Sequence, residues 1–203
     1  MKRIRDQIIE TAGALFQEKG YTGVGINEII EKSGVSKAGF YQNFESKENL
    51  CVQWLMEVHR QSELRHSTFL ESDLTGPELV KTHFSNLSDT MACRNFRGCP
   101  FSNTASVIDA SIGRIRTEIE SHKIYLREFF VDLARKCGFE SEAEVIGDHL
   151  FLLYSGAATE AQNLRSDWPI RRACELATRL VSTRPVDAEA ENELRRKREL
   201  LSV

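Results

Sequence analysis

Apolar residues return every three or four positions along almost the whole chain, and this rhythm restricts the fold more than any other feature. Ile4, Ile8, Ala12, Leu15 and Phe16 form one stripe, with Gly20 as a natural helix stop after Lys19. Ile26, Ile29 and Ile30 share the face of a second, shorter helix ending at Ser33, and Gly34 closes it. Gly25 is its weak cap, and Glu28 supplies half of a capping box without the hydroxyl partner. Alternating strand patterns bounded by turn residues are missing, so the expected class is all-α.

The same reading carries to the far end. Ser36 caps a third helix that contains Phe40, Tyr41 and Phe44 and breaks near Glu45. Ser46 caps a fourth running through Leu50, Trp54, Leu55 and Val58 towards Phe69 and Leu70. Gly76 and Pro77 open the next, RNFRGCP interrupts it, and Pro100 is the first residue of another, since a proline loses nothing where no intrahelical bond is due. Further helices fit Ile112 to Cys137, Ser141 to Leu164 and Pro169 to Val181. After Pro185, DAEAENELRRKRELLSV has few apolar residues and reads as a charged terminal helix or tail over 185–203.

Composition narrows the function classes. In 203 residues, five scattered cysteines with no C-x-x-C pair suggest reduced thiols and neither a disulfide framework nor a zinc site. No metal, cofactor or catalytic residue is expected, because metal-ligand pairs, Gly-rich phosphate loops, G-x-S-x-G elbows and acid/base dyads are all missing from the sequence. No apolar run reaches the roughly 20 residues that cross a bilayer, and the N-terminus has no leader pattern, so a cytoplasmic protein with no membrane partner is expected. The net charge of −3 argues against nonspecific coating of nucleic acid. A local contact surface is still open, and it would depend on where charge is placed.

The stretch GVSKAGFYQNFESKENL, Gly34 to Leu50, concentrates turn chemistry and polar side chains. Three or four residues separate the second helix from the third, the spacing of a helix-turn-helix. A helix that enters the major groove must carry small or hydrogen-bonding side chains at its leading end, and Ser36, Lys37, Ala38 and Gly39 meet that demand. Phe40 and Phe44, four apart, anchor the opposite face, leaving Tyr41, Gln42 and Asn43 to point outward. The helix starts at Ser36 and Ser46, with Lys47, suit phosphates, and Lys2, Arg3 and Arg5 could add an N-terminal arm.

The run EKGYTGVGINEIIEKSGVSKAGFYQNFESKENL resembles the N-terminal module of TetR (tetracycline repressor) family regulators. The shared pattern is an aromatic after the first helix, a hydrophobic-acidic-isoleucine second helix, G-V-S-x-x-x-hydrophobic-Tyr-x-x-Phe and Ser-Lys-Glu-x-Leu. It covers roughly residues 3 to 52. The resemblance implies a three-helix DNA-binding domain over 1–50 and a helical ligand-binding and dimerisation domain over 51–184. It also implies that Lys37, Ala38, Gly39, Gln42 and Asn43 approach bases or nearby backbone while Tyr41 and Lys47 contact phosphates. Gly25 stands where relatives often carry a hydroxyl, so no contact is carried to it, and Asn43 stands where many have His, leaving its role open between base and phosphate.

The implied partners are a palindromic double-stranded DNA operator, a small-molecule effector and a second copy of the chain. For the two-fold interface, Gly156, Ala157 and Ala161 in YSGAATEAQNL, with Cys174, Ala177 and Leu180 on the following helix, are the candidates, because small residues let helices approach. Pocket candidates are Phe84, Leu87, Met91, Phe101, His122, Tyr125, Phe129 and His149, together with Cys99. Cys99 precedes Pro100 near Arg94 and Arg97, an arrangement that favours thiolate, and some TetR-like regulators with a similar Gly-Cys look like sensors of electrophiles or oxidants. The expected function is a repressor released from its operator by a small molecule. The alternatives are sensing through Cys99 and a helical adaptor that binds protein.

Overall fold

The computed structural model describes residues 3–109 and 113–182. Lys2 of the basic arm, Ile112 at the start of the expected seventh helix, and the charged segment 185–203 lie outside the described residues. The described residues form nine helices: α1 (Ile4–Lys19), α2 (Ile26–Ser33), α3 (Lys37–Asn43), α4 (Lys47–Leu70), α5 (Gly76–Cys93), α6 (Pro100–Ala105), α7 (Gly113–Lys136), α8 (Ala143–Leu164) and α9 (Trp168–Ser182).

Local chemistry sets the ends of these helices. Ser36 and Ser46 accept hydrogen bonds from Gly39 N and Asn49 N, each at 3.0 Å, so both predicted caps form. Gly34 ends α2 at φ +67°, a left-handed backbone that costs glycine little. Glu28 caps nothing. Its carboxylate pairs with Lys19 on α1 and with Lys32 one turn on, which pulls its pKa down, the Lys19 hydrogen bond contributing most.

Two hydrophobic cores share the long α4. The first gathers Ile8, Leu15 and Phe16 of α1, Ile29 of α2, Phe40 of α3, Phe44, and Leu50, Trp54 and Leu55 of α4. Phe101 of α6 and Ile115 and Ile119 of α7 close it from the other side. The second joins α5, α7, α8 and α9 around Leu79, Phe84, Phe130, Leu133, Leu150 and Ile170, with Phe69 and Leu70 from the end of α4 packed against it. At 24 residues α4 spans about 36 Å, enough to belong to both.

Of the expected interface residues, Ala157, Ala161 and Ala177 are buried within the single chain, where small side chains let α8, α9 and α5 pack closely. Cys174 and Leu180 are half-buried against the same core, and Gly156 alone of the six is exposed. The outward apolar residues of α8 and α9 are Val145, Leu152, Leu164, Trp168 and Leu176.

Candidate nucleic-acid interface and internal cavity

The short α3 is amphipathic in three dimensions as well as in pattern. Phe40 is 0% and Phe44 1% exposed, and their rings pack on one another at 6.0 Å between centroids. On the other side Ser36, Lys37, Ala38, Tyr41 and Gln42 are exposed, while Gly39 and Asn43 are half-buried. A buried phenyl pair therefore fixes a small-residue, hydrogen-bonding edge towards solvent, the shape a major groove accepts.

Three side chains are held differently from the expectation. Asn43 Nδ2 donates to Gly39 O at 2.8 Å, so part of its amide is spent within α3. Lys47 does not reach outward freely: its Nζ donates to Tyr21 O at 3.1 Å and Val24 O at 3.0 Å, and it lies 4.4 Å from the centre of the Tyr21 ring. Burial pulls its pKa below the ordinary lysine range. Two of its three donors thus tie the α1–α2 loop to the start of α4. Arg5 donates to the Gln53 amide oxygen and sits 5.7 Å from the Phe44 ring, which fixes it beside α3.

Between the cores lies a cavity of about 700 Å³, walled by α4, α5, α6, α7 and α8. Of the residues expected there, Leu87, Met91, Cys99, Phe101 and His122 line it. Tyr125 and Phe129 border a second hollow with His66, Phe84 is in the α5 core, and His149 is exposed on α8, away from both. His66, His83 and Tyr154 also line the cavity and were not anticipated. A signal existed for His83, which continues the four-residue spacing of Leu87 and Met91 on α5.

The histidines are built into ring stacks. His122 lies parallel to Phe101 at 3.6 Å and 7°, His66 to Phe129 at 3.9 Å and 15°, and His83 beside Tyr154 at 5.1 Å and 25°. Burial, above all, drives their pKa values down, His66 to about 4 and His83 and His122 to about 3, so all three are neutral imidazoles near pH 7. His66 Nδ1 is 3.0 Å from the Tyr125 hydroxyl. His83 Nε2 and His122 Nδ1 are buried with no hydrogen-bond partner among the described residues.

One segment touches both cavity and α1. Gly98, Cys99, Pro100 and Phe101 line the cavity. Next to them, Arg97 Nη1 donates to Glu18 O at 2.8 Å and Gln17 O at 3.1 Å, satisfying carbonyls at the C-terminal end of α1. Behind it, Asn103 Nδ2 donates to Arg97 O at 2.6 Å and Gln162 Nε2 of α8 donates to Asn103 Oδ1 at 2.9 Å. Gly98 is at φ +70°, a left-handed backbone that favours glycine, and a Cβ there would have to displace the end of the Gln162 side chain. The cation beside Cys99 is Lys123, with Nζ 3.9 Å from Sγ, whereas Arg97, expected to serve it, is spent on α1.

A buried-backed α3 on a three-helix unit, joined by α4 to a helical body with a cavity, is a helix-turn-helix architecture. Residues 8–53 match the family model described as bacterial regulatory proteins, tetR family. Over 178 residues the chain is 24% identical to the HTH-type transcriptional repressor DhaR of Mycobacterium sp. (strain GP1), covering 82% of this chain and 86% of that one. It is 28% identical over 125 residues to the HTH-type transcriptional regulator LmrA of Bacillus subtilis (strain 168), covering 61% of each. The fold is shared with the reduced form of E. coli NemR at TM-score 0.77 and 19% identity, covering 88% of this chain and 97% of that one. Residues 8–53 are thus a tetR-family helix-turn-helix module, and the likeness to these proteins makes the chain a DNA-binding transcriptional regulator.

Proposed function

We propose that this regulator is a repressor that binds a palindromic operator as a homodimer in the cytoplasm and leaves it when a small molecule fills the cavity. The observation that carries this reading is the segment Arg97–Phe101, which lines the cavity at one end and holds the end of α1 at the other. An effector pressing on Phe101 or Cys99 shifts the anchor of Arg97, and with it the tilt of the three-helix unit. Typical couplings of this kind amount to about 1–3 kcal/mol.

On DNA, Lys37, Ala38, Gly39 and Gln42 approach base edges, and Tyr41 with the exposed start of α3 and the half-buried start of α4 contacts phosphates. Asn43 offers its remaining acceptor to either. Lys47 positions the start of α4 and keeps one donor for phosphate. The domain limits at 1–50 and 51–184 follow the same reading, with α4 as the shared strut. The second copy packs on the outward face of α8 and α9, where Leu152, Gly156 and Leu176 are exposed. Two α3 helices about 34 Å apart then read half-sites one helical turn apart.

Selection of bound duplexes from random DNA tests this directly. The expected product is an inverted repeat, with an affinity that falls steeply as salt rises. Lys37→Ala and Gln42→Ala should change the selected bases, and Tyr41→Ala should weaken all sequences alike. Failure to enrich any repeat, or binding without salt dependence, refutes the reading in favour of an adaptor.

A second reading attaches to Cys99, because its half-buried sulfur faces the cavity within 3.9 Å of the Lys123 ammonium. There the thiol adds across an electrophilic alkene, its sulfur forming a C–S bond with one alkene carbon while its proton passes to the other. Cys99→Ser that still responds fully to such a compound removes this reading.

A further inference from the structure

The cavity discriminates by charge. No Asp or Glu is among its lining residues, and its full charges, Arg65 and Arg94, are both exposed at the rim. A cationic ligand would meet two guanidinium groups and no counter-charge. An anion fares little better inside, since a wall that keeps buried imidazoles neutral also penalises a buried carboxylate. What remains is an uncharged molecule.

The walls also specify shape and hydrogen bonding. Phe101, Tyr154 and the imidazole faces offer flat π surfaces, with Met91, Leu87 and Leu126 filling between them. His83 and His122 are 6% and 5% exposed, and each buries one nitrogen that has no hydrogen-bond partner among the described residues. A buried polar atom left unpaired costs free energy, and natural proteins keep few of them without a use. A neutral imidazole can donate from or accept at such a nitrogen, and a hydroxyl can answer in either sense. About 700 Å³ lies in the range of small-molecule sites.

Resting on the reading of this cavity as the effector site, we propose that it takes an uncharged hydroxylated arene, its rings among Phe101, Met91 and Tyr154 and its hydroxyl bonded to the free nitrogen of His83 or His122. Four probes of one ring size test the class on the full-length protein by calorimetry near neutral pH: 1-naphthol, naphthalene, 1-naphthoate and 1-naphthylmethylammonium. The expected order places 1-naphthol first, about tenfold tighter than naphthalene for one buried hydrogen bond. Equal binding of naphthol and naphthalene, or tightest binding of either charged probe, overturns the proposal.

Variants locate the bond. His83→Phe and His122→Phe keep a ring in each stack and remove the nitrogens, so at least one should bring naphthol down to the affinity of naphthalene while leaving naphthalene unchanged. No change in either refutes the assignment, and the wild-type probe order remains decisive if a variant misfolds. Operator release is measured separately by fluorescence anisotropy. Tight, hydroxyl-dependent naphthol binding without operator release supports the ligand class and refutes the effector role of the cavity.

Discussion

The core beneath α3 and the body around the cavity are built on opposite principles. Under α3 the rings of Phe16, Tyr21, Trp54, Phe40 and Phe44 pack against one another and against aliphatic neighbours. The polar groups that enter are paired: Ser33 Oγ donates to Ile30 O, and Lys47 to two carbonyls. Around the cavity, by contrast, His83 Nε2 and His122 Nδ1 are buried with no hydrogen-bond partner among the described residues. A closed core keeps a recognition surface in one geometry. A core with open valences gives up stability and gains a place for a ligand to bind.

Acid should separate the two regions most strongly. Each cavity histidine is harder to protonate folded, at about 3 to 4, than unfolded, near 6.5. Below pH 6.5 the unfolded chain therefore takes up protons that the folded chain refuses, and stability falls until the folded groups titrate. By pH 5 the loss is about 2 kcal/mol per histidine, several in sum. The first histidine in the chain is His59, so the α1–α3 unit carries none. Hydrogen exchange at pH 7 and pH 5 should show protection falling first in α5 and α7. Equal loss in α1 would erase the contrast.

Phe40→Ala strikes the closed side. Removing a ring that is 0% exposed should cost about 3–5 kcal/mol, read from urea unfolding, and should abolish operator binding. His83→Phe on the open side replaces an unpaired polar atom with carbon and should be near neutral or stabilising. If the two variants lose similar stability, the cores do not differ in kind.

The closed side was legible in the sequence because its determinants are local. Ser36, Phe40, Phe44 and Ser46 sit within eleven positions of one another, so capping and four-residue spacing define α3 without knowledge of the rest. The cavity depends on five helices meeting, and only part of it could be read. Leu87 and Met91 were found through their spacing, and His83 on the same stripe was passed over because a polar residue breaks a hydrophobic pattern. For Ala157, Ala161 and Ala177 the signal was sound but ambiguous, since close approach within a chain and between chains uses the same small residues. Lys47 was legible as the first residue of α4, but the two carbonyls it serves come from a loop more than twenty residues earlier.

In the proposed coupling Arg97 joins the two regions, and its loss should leave each half intact. Arg97→Ala removes two hydrogen bonds to α1 carbonyls without touching the Phe40 core or the unpaired histidines. Effector affinity and α3 stability should change little, while the ratio of operator affinities with and without effector shrinks by a coupling of about 1–3 kcal/mol. Anisotropy titrations in a matrix of DNA and effector concentrations measure that ratio. An unchanged ratio would move the coupling to another contact.

The smallest effect tests why residue 39 is glycine. A Cβ there would lie 3.2 Å from Ser36 Oγ, so the cap and a side chain at 39 compete for one space. Ser36→Ala alone loses the bond to Gly39 N and should cost about 1 kcal/mol. Gly39→Ala alone gains helix propensity of about 0.5–1 kcal/mol but crowds the cap, and the two nearly cancel. In the Ser36→Ala background the crowding is gone, so Gly39→Ala should stabilise by the full propensity difference, a coupling that a double-mutant cycle resolves. Operator affinity then separates fold from function. If Gly39→Ala is neutral to stability yet weakens every duplex, the missing side chain serves the approach to DNA. If affinity follows stability through the cycle, the glycine is there for the cap alone.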